Sequence, residues 1–450
     1  MSSKKTRVVI VRHGQSSYNK EQRIQGRCND SILTEKGQTD AIKLGDVLSN
    51  LSFDYVFCSP LQRAKHTAEI ILSRWSNPPV LNPDPNLMEI DLPLWEKMLK
   101  TDVKSQFPNE YKDWHNSPDK FFMELVTPEG ENTRHFPILA LYEQAKKFWE
   151  NLIENYGGST VLIVAHNGIN RALISTALEV HPSQYQSIQQ SNCGITVLNF
   201  SGKFGDSVQL ESMNLTSHVG DLIPKPRPQH EGGRLLLVRH GETQWNKETR
   251  FQGQIDVPLN ENGKLQSQKA ADFLKDIKID CAFTSPMLRP KETAQIILQY
   301  HPDVKLEDVD GLKEISHGLW EGKLESEIDQ EFPNQLDVWR LHPETVQMPE
   351  GENLQDVSDR SIIAWEKIVN QVSKEQKTAL VVAHDATNKV ILCHLLKLGL
   401  GGFWKIKQGN GAVTVIDYPH GLDDIPVLQA MNITTHLTGS ILDQTAAGAL

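Results

Sequence analysis

Residues 8–19 read VVIVRHGQSSYN, and residues 235–246 repeat the pattern as LLLVRHGETQWN. In both stretches four aliphatic residues end abruptly in Arg-His-Gly, and an Asn follows six residues after the His. A short, wholly apolar run of this kind is typical of a strand buried in a parallel sheet. We therefore predict two strands that carry polar side chains to the sheet edge where open α/β folds bind ligands.

The two stretches belong to a repeat that covers most of the chain. The copies are separated by 227 residues at His13 and His240 and by 218 residues at His166 and His384. The separation changes only between motifs, as expected where loops accept insertions. A period of this length indicates duplication of a whole domain, because each copy is long enough to bury its own core.

The repeat also sets the predicted domain boundaries. We predict a first domain at 1–222 and a second at 234–437. Residues 223–233 between them contain three prolines followed by two glycines, a composition typical of a semi-rigid surface linker. Residues 438–450 have no counterpart in the first copy and are predicted to form a short tail.

Composition narrows the range of partners. The formal net charge is −11 over 450 residues, with no block of Lys and Arg. Nucleic acid and anionic membrane are therefore not expected as partners, and an anion site would be a local basic pocket. No segment is long and apolar enough to span a bilayer. The sequence leaves the oligomeric state open.

The cysteines indicate the compartment. The chain has five, with no CxxC pair and no spacing typical of a metal finger. Reduced thiols in a cytoplasmic protein are therefore expected, and neither a metal site nor a disulfide framework is predicted.

Strand and helix patterns alternate within each copy. In the first, we predict a helix at 34–50, a strand at 55–57, a helix opening near 60, an irregular insert at 87–131, a helix at 132–155 and strands at 160–164 and 195–198. Alternation with wholly apolar strands favours an α/β fold of two tandem three-layer α/β/α domains with mostly parallel sheets. The insert is too long for an ordinary connection and is expected to shape a site.

Five polar positions recur in both copies, most of them at strand ends. They are Arg12, His13, Arg63, Glu89 and His166 in the first copy, and Arg239, His240, Arg289, Glu314 and His384 in the second. Two arginines and two histidines would form a pocket for a phosphoryl dianion, since the guanidinium fork matches its oxygens. The expected partner is a small phosphorylated metabolite.

The residue types suggest how such a pocket would react. A neutral imidazole can attack phosphorus if its other nitrogen keeps a proton in a hydrogen bond, and the glycine turn after His13 or His240 could offer a carbonyl for it. A phosphohistidine would form. Glu89 and Glu314 are then suited to protonate the leaving oxygen. His166 and His384 would hydrogen-bond the phosphoryl group.

Each residue alone has a more ordinary explanation. A single His after a strand is more often a turn or surface histidine, and a lone Arg or Glu is usually solvated. Only the joint recurrence of the five positions favours a site. The remaining recurrent residues are interpreted as structural: turn glycines (Gly26, Gly37), a terminal strand (His218, His436) and packing within the insert (Trp114, Trp339).

At these residues the sequence resembles the histidine phosphatase superfamily, also called phosphoglycerate mutase-like, in both halves. The resemblance implies that His13 and His240 are nucleophiles, Glu89 and Glu314 proton donors, and that no cofactor is needed. It also implies that Asn19 and Asn246 contact phosphate. The tandem arrangement resembles plant and cyanobacterial members, which implies sugar phosphates or a carboxylated pentitol phosphate as substrates.

The resemblance also carries departures. Mutases of the superfamily have an Arg-Arg-His-Tyr-Gly stretch after the acid, whereas residues 315–322 read ISHGLWEG, which favours hydrolysis. Pro93 and Lys97 stand where the second copy has Gly318 and Gly322, so the insert is expected to enter the two sites differently.

A further departure follows the second histidine, where Ala386 replaces Gly168 at a point where backbone is expected to approach the ligand. A mutase, a phosphoprotein phosphatase, and a catalytic half paired with a regulatory half all remain open.

Overall fold

The computed structural model describes residues 5–228 and 230–441. The chain divides between Pro224 and Lys225 into two compact units, and this division lies inside the predicted linker. Of the predicted linker, Gln229 lies outside the described residues. Of the predicted tail, residues 442–450 also lie outside them.

The first unit is built on a six-stranded sheet. The first three pairings along the sheet are parallel and the last two antiparallel. In spatial order the strands are Leu81–Pro83, Tyr55–Cys58, Thr160–Ala165, Thr6–Arg12, Ile195–Ser201 and Ser207–Leu215. The predicted mostly parallel sheet is therefore confirmed, with antiparallel strands added at one side.

Helices cover both faces of this sheet. Residues 8–11 and 161–164 are wholly buried, so neither face of the central strands meets solvent. One packed pair is Glu35–Leu48 with Gln62–Leu72, and another is Pro137–Tyr156 with Asn167–Leu178. The remaining α-helices of the described part of this unit are Ser17–Lys20, Lys100–Gln106 and Pro108–Asn116.

The second unit repeats this arrangement. Its strands, in the same spatial order, are Leu306–Asp308, Cys281–Thr284, Thr378–Ala383, Gly233–Arg239, Val413–Leu422 and Val427–Ile433. Its α-helices are Gln244–Glu248, Glu261–Leu274, Leu288–Ile297, Glu325–Glu331, Gln335–Leu341, Leu354–Lys374, Asp385–Leu395 and Thr435–Thr438. Two tandem α/β/α units with mostly parallel sheets are thus the fold of the described chain.

The insert differs between the units, and the helix predicted at 132–155 starts later than expected. Residues 132–135 do not begin a helix; the strand Asn132–His135 pairs with Met123–Val126, and the helix starts only at Pro137. In the second unit Asn353 caps its helix directly. The extra residues of the first unit therefore form a hairpin, whose strand pairing overrides the helical pattern taken from the repeat.

Three smaller observations complete the fold. Among the described residues, no helix combines the length and apolar character needed to cross a bilayer. All five cysteines are free. His218 hydrogen-bonds the carbonyl of Cys193 at 2.9 Å and His436 that of Gly411 at 3.0 Å, in agreement with a structural role for both.

Candidate active site

The two histidines of each unit emerge side by side from neighbouring strands. Arg12 pairs with Ala165 across the parallel ladder, so the next residues, His13 and His166, leave the sheet at the same edge. Their ring centroids lie 5.2 Å apart. In the second unit the rings of His240 and His384 are also 5.2 Å apart.

A glycine carbonyl fixes the orientation of the first histidine. The Nδ1 of His13 lies 2.7 Å from the carbonyl oxygen of Gly14, and that of His240 lies 2.7 Å from the oxygen of Gly241. A carbonyl can only accept, so Nδ1 carries the proton and the neutral ring keeps its lone pair on Nε2. This is the hydrogen bond that the sequence suggested for the glycine turn.

The protein keeps these rings neutral. Burial lowers the pKa of His13 well below its ordinary value, and the charges of Arg12 and Arg63 lower it further. Burial also lowers the pKa of His240, and the charges of the equivalent arginines, Arg289 and Arg239, lower it further. The pKa of both His166 and His384 is also lowered, again mainly by burial. Each pocket therefore presents an unprotonated nucleophilic nitrogen at neutral pH.

The arginines are anchored by main-chain oxygens. Arg63 donates from Nη1 to Cys28 at 2.8 Å and from Nη2 to Gly26 at 2.9 Å. Arg12 donates from Nη1 to Gln190 at 2.8 Å. Within the described residues the Nε atoms of both arginines are buried without a hydrogen-bond partner, as are both ring nitrogens of His166. An unpaired buried donor costs about 1–3 kcal/mol, so this pocket fits an oxyanion ligand.

Three N–H groups hold the carboxylate of the first pocket. Glu89 accepts from the backbone nitrogens of Ile90 at 2.9 Å, Gly168 at 3.0 Å and Ile169 at 3.0 Å. A Cβ built on Gly168 would lie 2.4 Å from Oε1 of Glu89. The backbone at Gly168 therefore approaches the carboxylate closely, and its approach to a ligand stays a prediction.

In the second pocket Ala386 stands where the first has Gly168. Glu314 accepts from the nitrogens of Ala386 and Thr387 at 3.4 Å each, and from that of Ile315 at 3.0 Å. Its pKa is raised, mainly by burial and then by the charge of Asp385. In the unit with Ala386, the backbone hydrogen bonds to the glutamate are therefore longer than in the unit with Gly168. The raised pKa favours the protonated form of Glu314.

The predicted asparagines lie in the short helix that follows each nucleophile candidate, Ser17–Lys20 or Gln244–Glu248. Oδ1 of Asn19 accepts from the backbone nitrogen of Ser16 at 3.2 Å, in a capping box that Asn246 repeats with Thr243. A second asparagine, Asn192, donates to that Oδ1 at 3.2 Å. What the Asn19 amide can still offer a ligand is therefore its Nδ2.

Sequence reasoning missed this second asparagine. Asn192 also donates to the carbonyl of His13 at 2.9 Å, and its counterpart Asn410 donates to that of His240 at 3.1 Å. Both asparagines recur at the 218-residue separation of the later motifs, so the same self-comparison could have found them.

Charged residues on the helix after the second histidine were also missed. Asp385 and Lys389 of the second unit form a buried ion pair at 2.7 Å, and Asp385 lies 3.2 Å from Nη1 of Arg239. The first unit has Asn167 and Arg171 at these positions. Their four-residue spacing on a helix was a usable signal, but the sequence alone did not place them beside Arg239.

The insert was predicted to differ between the units at two positions, and only one of them has a different backbone conformation. Lys97 adopts φ +69°, close to the φ of +81° at Gly322, so the substitution preserves this left-handed turn. Gly318 has φ +53°, which the proline ring at Pro93 forbids. The predicted difference in the insert therefore concerns Pro93 and not Lys97.

The other recurrent residues have local explanations. Gly26 has φ +50°, as a turn glycine should. A Cβ on Gly37 would lie 2.1 Å from the carbonyl oxygen of Gln15, so close backbone contact, not turn geometry, requires glycine there. Trp114 packs against Trp95 and Phe121 within the insert. Among the described residues, no group of three His, Cys, Asp or Glu is arranged to hold a metal ion.

Several known proteins are similar to this chain. A 2-carboxy-D-arabinitol-1-phosphatase of Triticum aestivum is 31% identical over 96% of this chain and 86% of its own. Phosphoserine phosphatase 1 of Hydrogenobacter thermophilus is 32% identical over 45% of this chain and 94% of its own. Among solved structures, YhfR of Bacillus stearothermophilus is 31% identical, covers 42% of this chain and 93% of its own, and has a TM-score of 0.40.

The family assignment rests on both halves of the chain. The family model described as histidine phosphatase superfamily (branch 1) matches residues 8–214 and again 235–433. These two regions contain every residue of the two pockets described above. The chain is a phosphatase and belongs to the histidine phosphatase superfamily.

Proposed function

We propose that this phosphatase hydrolyses small phosphate monoesters through a phosphohistidine formed on His13, His240 or both, without a metal ion. The observation that carries the proposal is the fixed imidazole: Nδ1 bonds to the glycine carbonyl at 2.7 Å in both units, so Nε2 remains as the nucleophile. In the second unit Nε of Arg289 donates to Nε2 of His240 at 3.3 Å, so a guanidinium lies beside the proposed nucleophile.

The reaction would proceed in two displacements. The Nε2 lone pair attacks phosphorus, an N–P bond forms, and the bond between phosphorus and the ester oxygen breaks. Glu89 or Glu314 gives its proton to the leaving oxygen and then accepts one from the water that attacks the phosphohistidine. Inorganic phosphate and the neutral ring are the products. The two arginines stabilise the charge on the phosphoryl oxygens throughout.

The substrate class is proposed from the relatives. The Triticum aestivum protein is named for 2-carboxy-D-arabinitol 1-phosphate and the Hydrogenobacter thermophilus protein for phosphoserine. Both names describe a small phosphate ester that carries a carboxylate. We propose sugar phosphates and carboxylated sugar-alcohol phosphates as the substrates of this chain.

A panel of phosphate esters tests the proposal. Phosphate release is measured in EDTA for the wild type, His13→Ala, His240→Ala and the double variant. We expect turnover in EDTA and its loss in the double variant, with acid-labile radioactive phosphate trapped on the wild-type chain by rapid quench. Dependence on a divalent ion would contradict the proposal. Activity that needs a bisphosphate primer would favour a mutase.

A second candidate, one catalytic half and one binding half, is favoured by the Asp385–Arg239 ion pair, which has no counterpart at Asn167. The carboxylate of Asp385 offsets the charge of an arginine proposed to stabilise the transferring phosphoryl group, so this pocket would turn a bound ester over more slowly than the first. Under this alternative, His13→Ala alone would abolish turnover and His240→Ala would leave it intact.

A further inference from the structure

The two pockets differ in charge at the residue after the second histidine. In the second pocket Asp385 is 1% exposed, and its two carboxylate oxygens lie 3.2 Å from Nη1 of Arg239 and 2.7 Å from Nζ of Lys389. In the first pocket this position is Asn167, which is neutral. The buried carboxylate therefore offsets one positive charge in the second pocket only.

The basic residue on the same helix has a different environment in each unit. Arg171 donates to Oε1 of Gln186 at 3.1 Å and lies 5.4 Å above the ring of Tyr185, while its Nε is buried without a hydrogen-bond partner. Lys389 lies over aromatic rings too, but it is paired with Asp385. Arg12 and Arg171 thus give the first pocket two cations beside a neutral amide.

These charges act at the end of the pocket where the alcohol leaves. Burial raises the pKa of Glu314, and the negative charge of Asp385 raises it further. Burial lowers the pKa of Arg171, and the charge of Glu89 opposes this shift, so Arg171 and Glu89 interact in the first pocket as Asp385 and Glu314 do in the second. Each glutamate is the proposed proton donor to the leaving oxygen, so the group attached to that oxygen lies within the field of residue 171 or 385. A negative substituent there is stabilised in the first pocket and opposed in the second.

We infer that residues 167 and 385 determine the substrate class of their pockets. The first pocket, with Asn167 and Arg171, takes phosphate esters that carry a second anionic group such as a carboxylate. The second pocket, with Asp385, takes esters whose remaining part is uncharged. This inference rests on the proposed function, because it assigns the two sites to different substrates of the same hydrolysis.

A matched pair of esters tests the inference. 3-Phosphoglycerate and glycerol 3-phosphate share a three-carbon chain and differ by a carboxylate in place of a hydroxymethyl group. The first pocket is isolated in His240→Ala and the second in His13→Ala. The measured quantity is the ratio of kcat/KM for the two esters, from which the fraction of folded protein cancels because both are assayed on one preparation.

The charge swap should move the two ratios in opposite directions. Asn167→Asp lowers the preference of the first pocket for the carboxylated ester roughly tenfold, and Asp385→Asn raises that of the second pocket roughly tenfold, as expected for one charge a few ångströms away. Asp385→Glu keeps the charge and leaves the ratio low. Asn167→Ser changes size without charge and leaves the ratio high.

The outcomes separate this inference from the proposed function. Turnover with ratios that the swaps do not move overturns the inference and leaves the hydrolysis intact. If neither ester is hydrolysed, calorimetry measures their relative affinities for the same variants. A shift in affinity then supports the charge assignment while the proposed reaction falls, whereas equal affinities or no binding overturn both.

Discussion

Nε of Arg289 lies 3.3 Å from Nε2 of His240, while Nδ1 of the same ring lies 2.7 Å from the carbonyl oxygen of Gly241. Nδ1 donates and Nε2 accepts, so these two hydrogen bonds together fix the tautomer of the ring and the direction of its lone pair. The nucleophile candidate and the phosphate-binding group are thus positioned by each other, and neither is free to turn away.

Replacing Arg289 should therefore lower the activity of the second unit more than replacing an exposed arginine does. In the His13→Ala background, Arg289→Lys keeps the charge but removes the planar fork and its bonds to Gly253 and Ile255. We expect kcat/KM to fall roughly 100-fold, the cost of about 3 kcal/mol of transition-state stabilisation. The exposed Arg340→Lys is the control, and equal losses in both variants would contradict the assignment.

Exchanging glycine and alanine at positions 168 and 386 tests the effect of the alanine methyl group in both units. Gly168→Ala would place a Cβ 2.4 Å from Oε1 of Glu89 and 2.8 Å from the hydroxyl of Tyr185, so the carboxylate must move. In the His240→Ala background we expect kcat to fall roughly tenfold, since a proton donor contributes about 100-fold or more when well placed. Ala386→Gly in the His13→Ala background should leave kcat unchanged or raise it; a fall would count against this account.

The pH profile of the second unit follows from the raised pKa of Glu314. Burial and the charge of Asp385 both favour its protonated form, so kcat/KM in the His13→Ala background should decline only as pH rises past this elevated pKa. Asp385→Asn removes one of the two causes, and the decline should then begin at lower pH. The exposed Asp337→Asn should not move it, and a shift of the Asp385→Asn profile to higher pH would refute the argument.

A half-buried structural histidine should make the first unit sensitive to acid. Burial lowers the pKa of His218 to about 4, so between the unfolded value of about 6.5 and pH 4 the unfolded chain binds a proton that the folded chain does not. The free energy of unfolding should fall as pH drops through this window, by at most about 1.4 kcal/mol per pH unit from this group. Above pH 6.5 it contributes no slope.

Urea titrations of the full chain measure this effect. His218→Gln should flatten the dependence of the first unit's free energy of unfolding on pH between 6.5 and 4. The exposed His66→Gln is the matched control and should leave the slope as it is. An unchanged slope in His218→Gln would show that this histidine does not carry the acid sensitivity.

The duplication, the α/β class and the recurrence of five polar positions could be read from the amino-acid sequence. These follow from local patterns: apolar runs that end in Arg-His-Gly, and polar positions that recur while their surroundings change. A strand end and its polar residue are adjacent in the chain, so the sheet edge could be predicted without coordinates. The helix expected at 132–155 was wrong at its start, because Asn132–His135 pairs with Met123–Val126 in a hairpin that the second copy, where Asn353 caps its helix directly, does not have.

The differences between the pockets came from the fold. It placed Asp385 beside Arg239, residues 146 positions apart in the chain, and brought Gly168 against Glu89. It also added Asn192 to the loop of His13. Such contacts depend on how helices and loops from distant parts of the chain pack at one sheet edge, and burial there gives a single charge or methyl group an effect that no local pattern records.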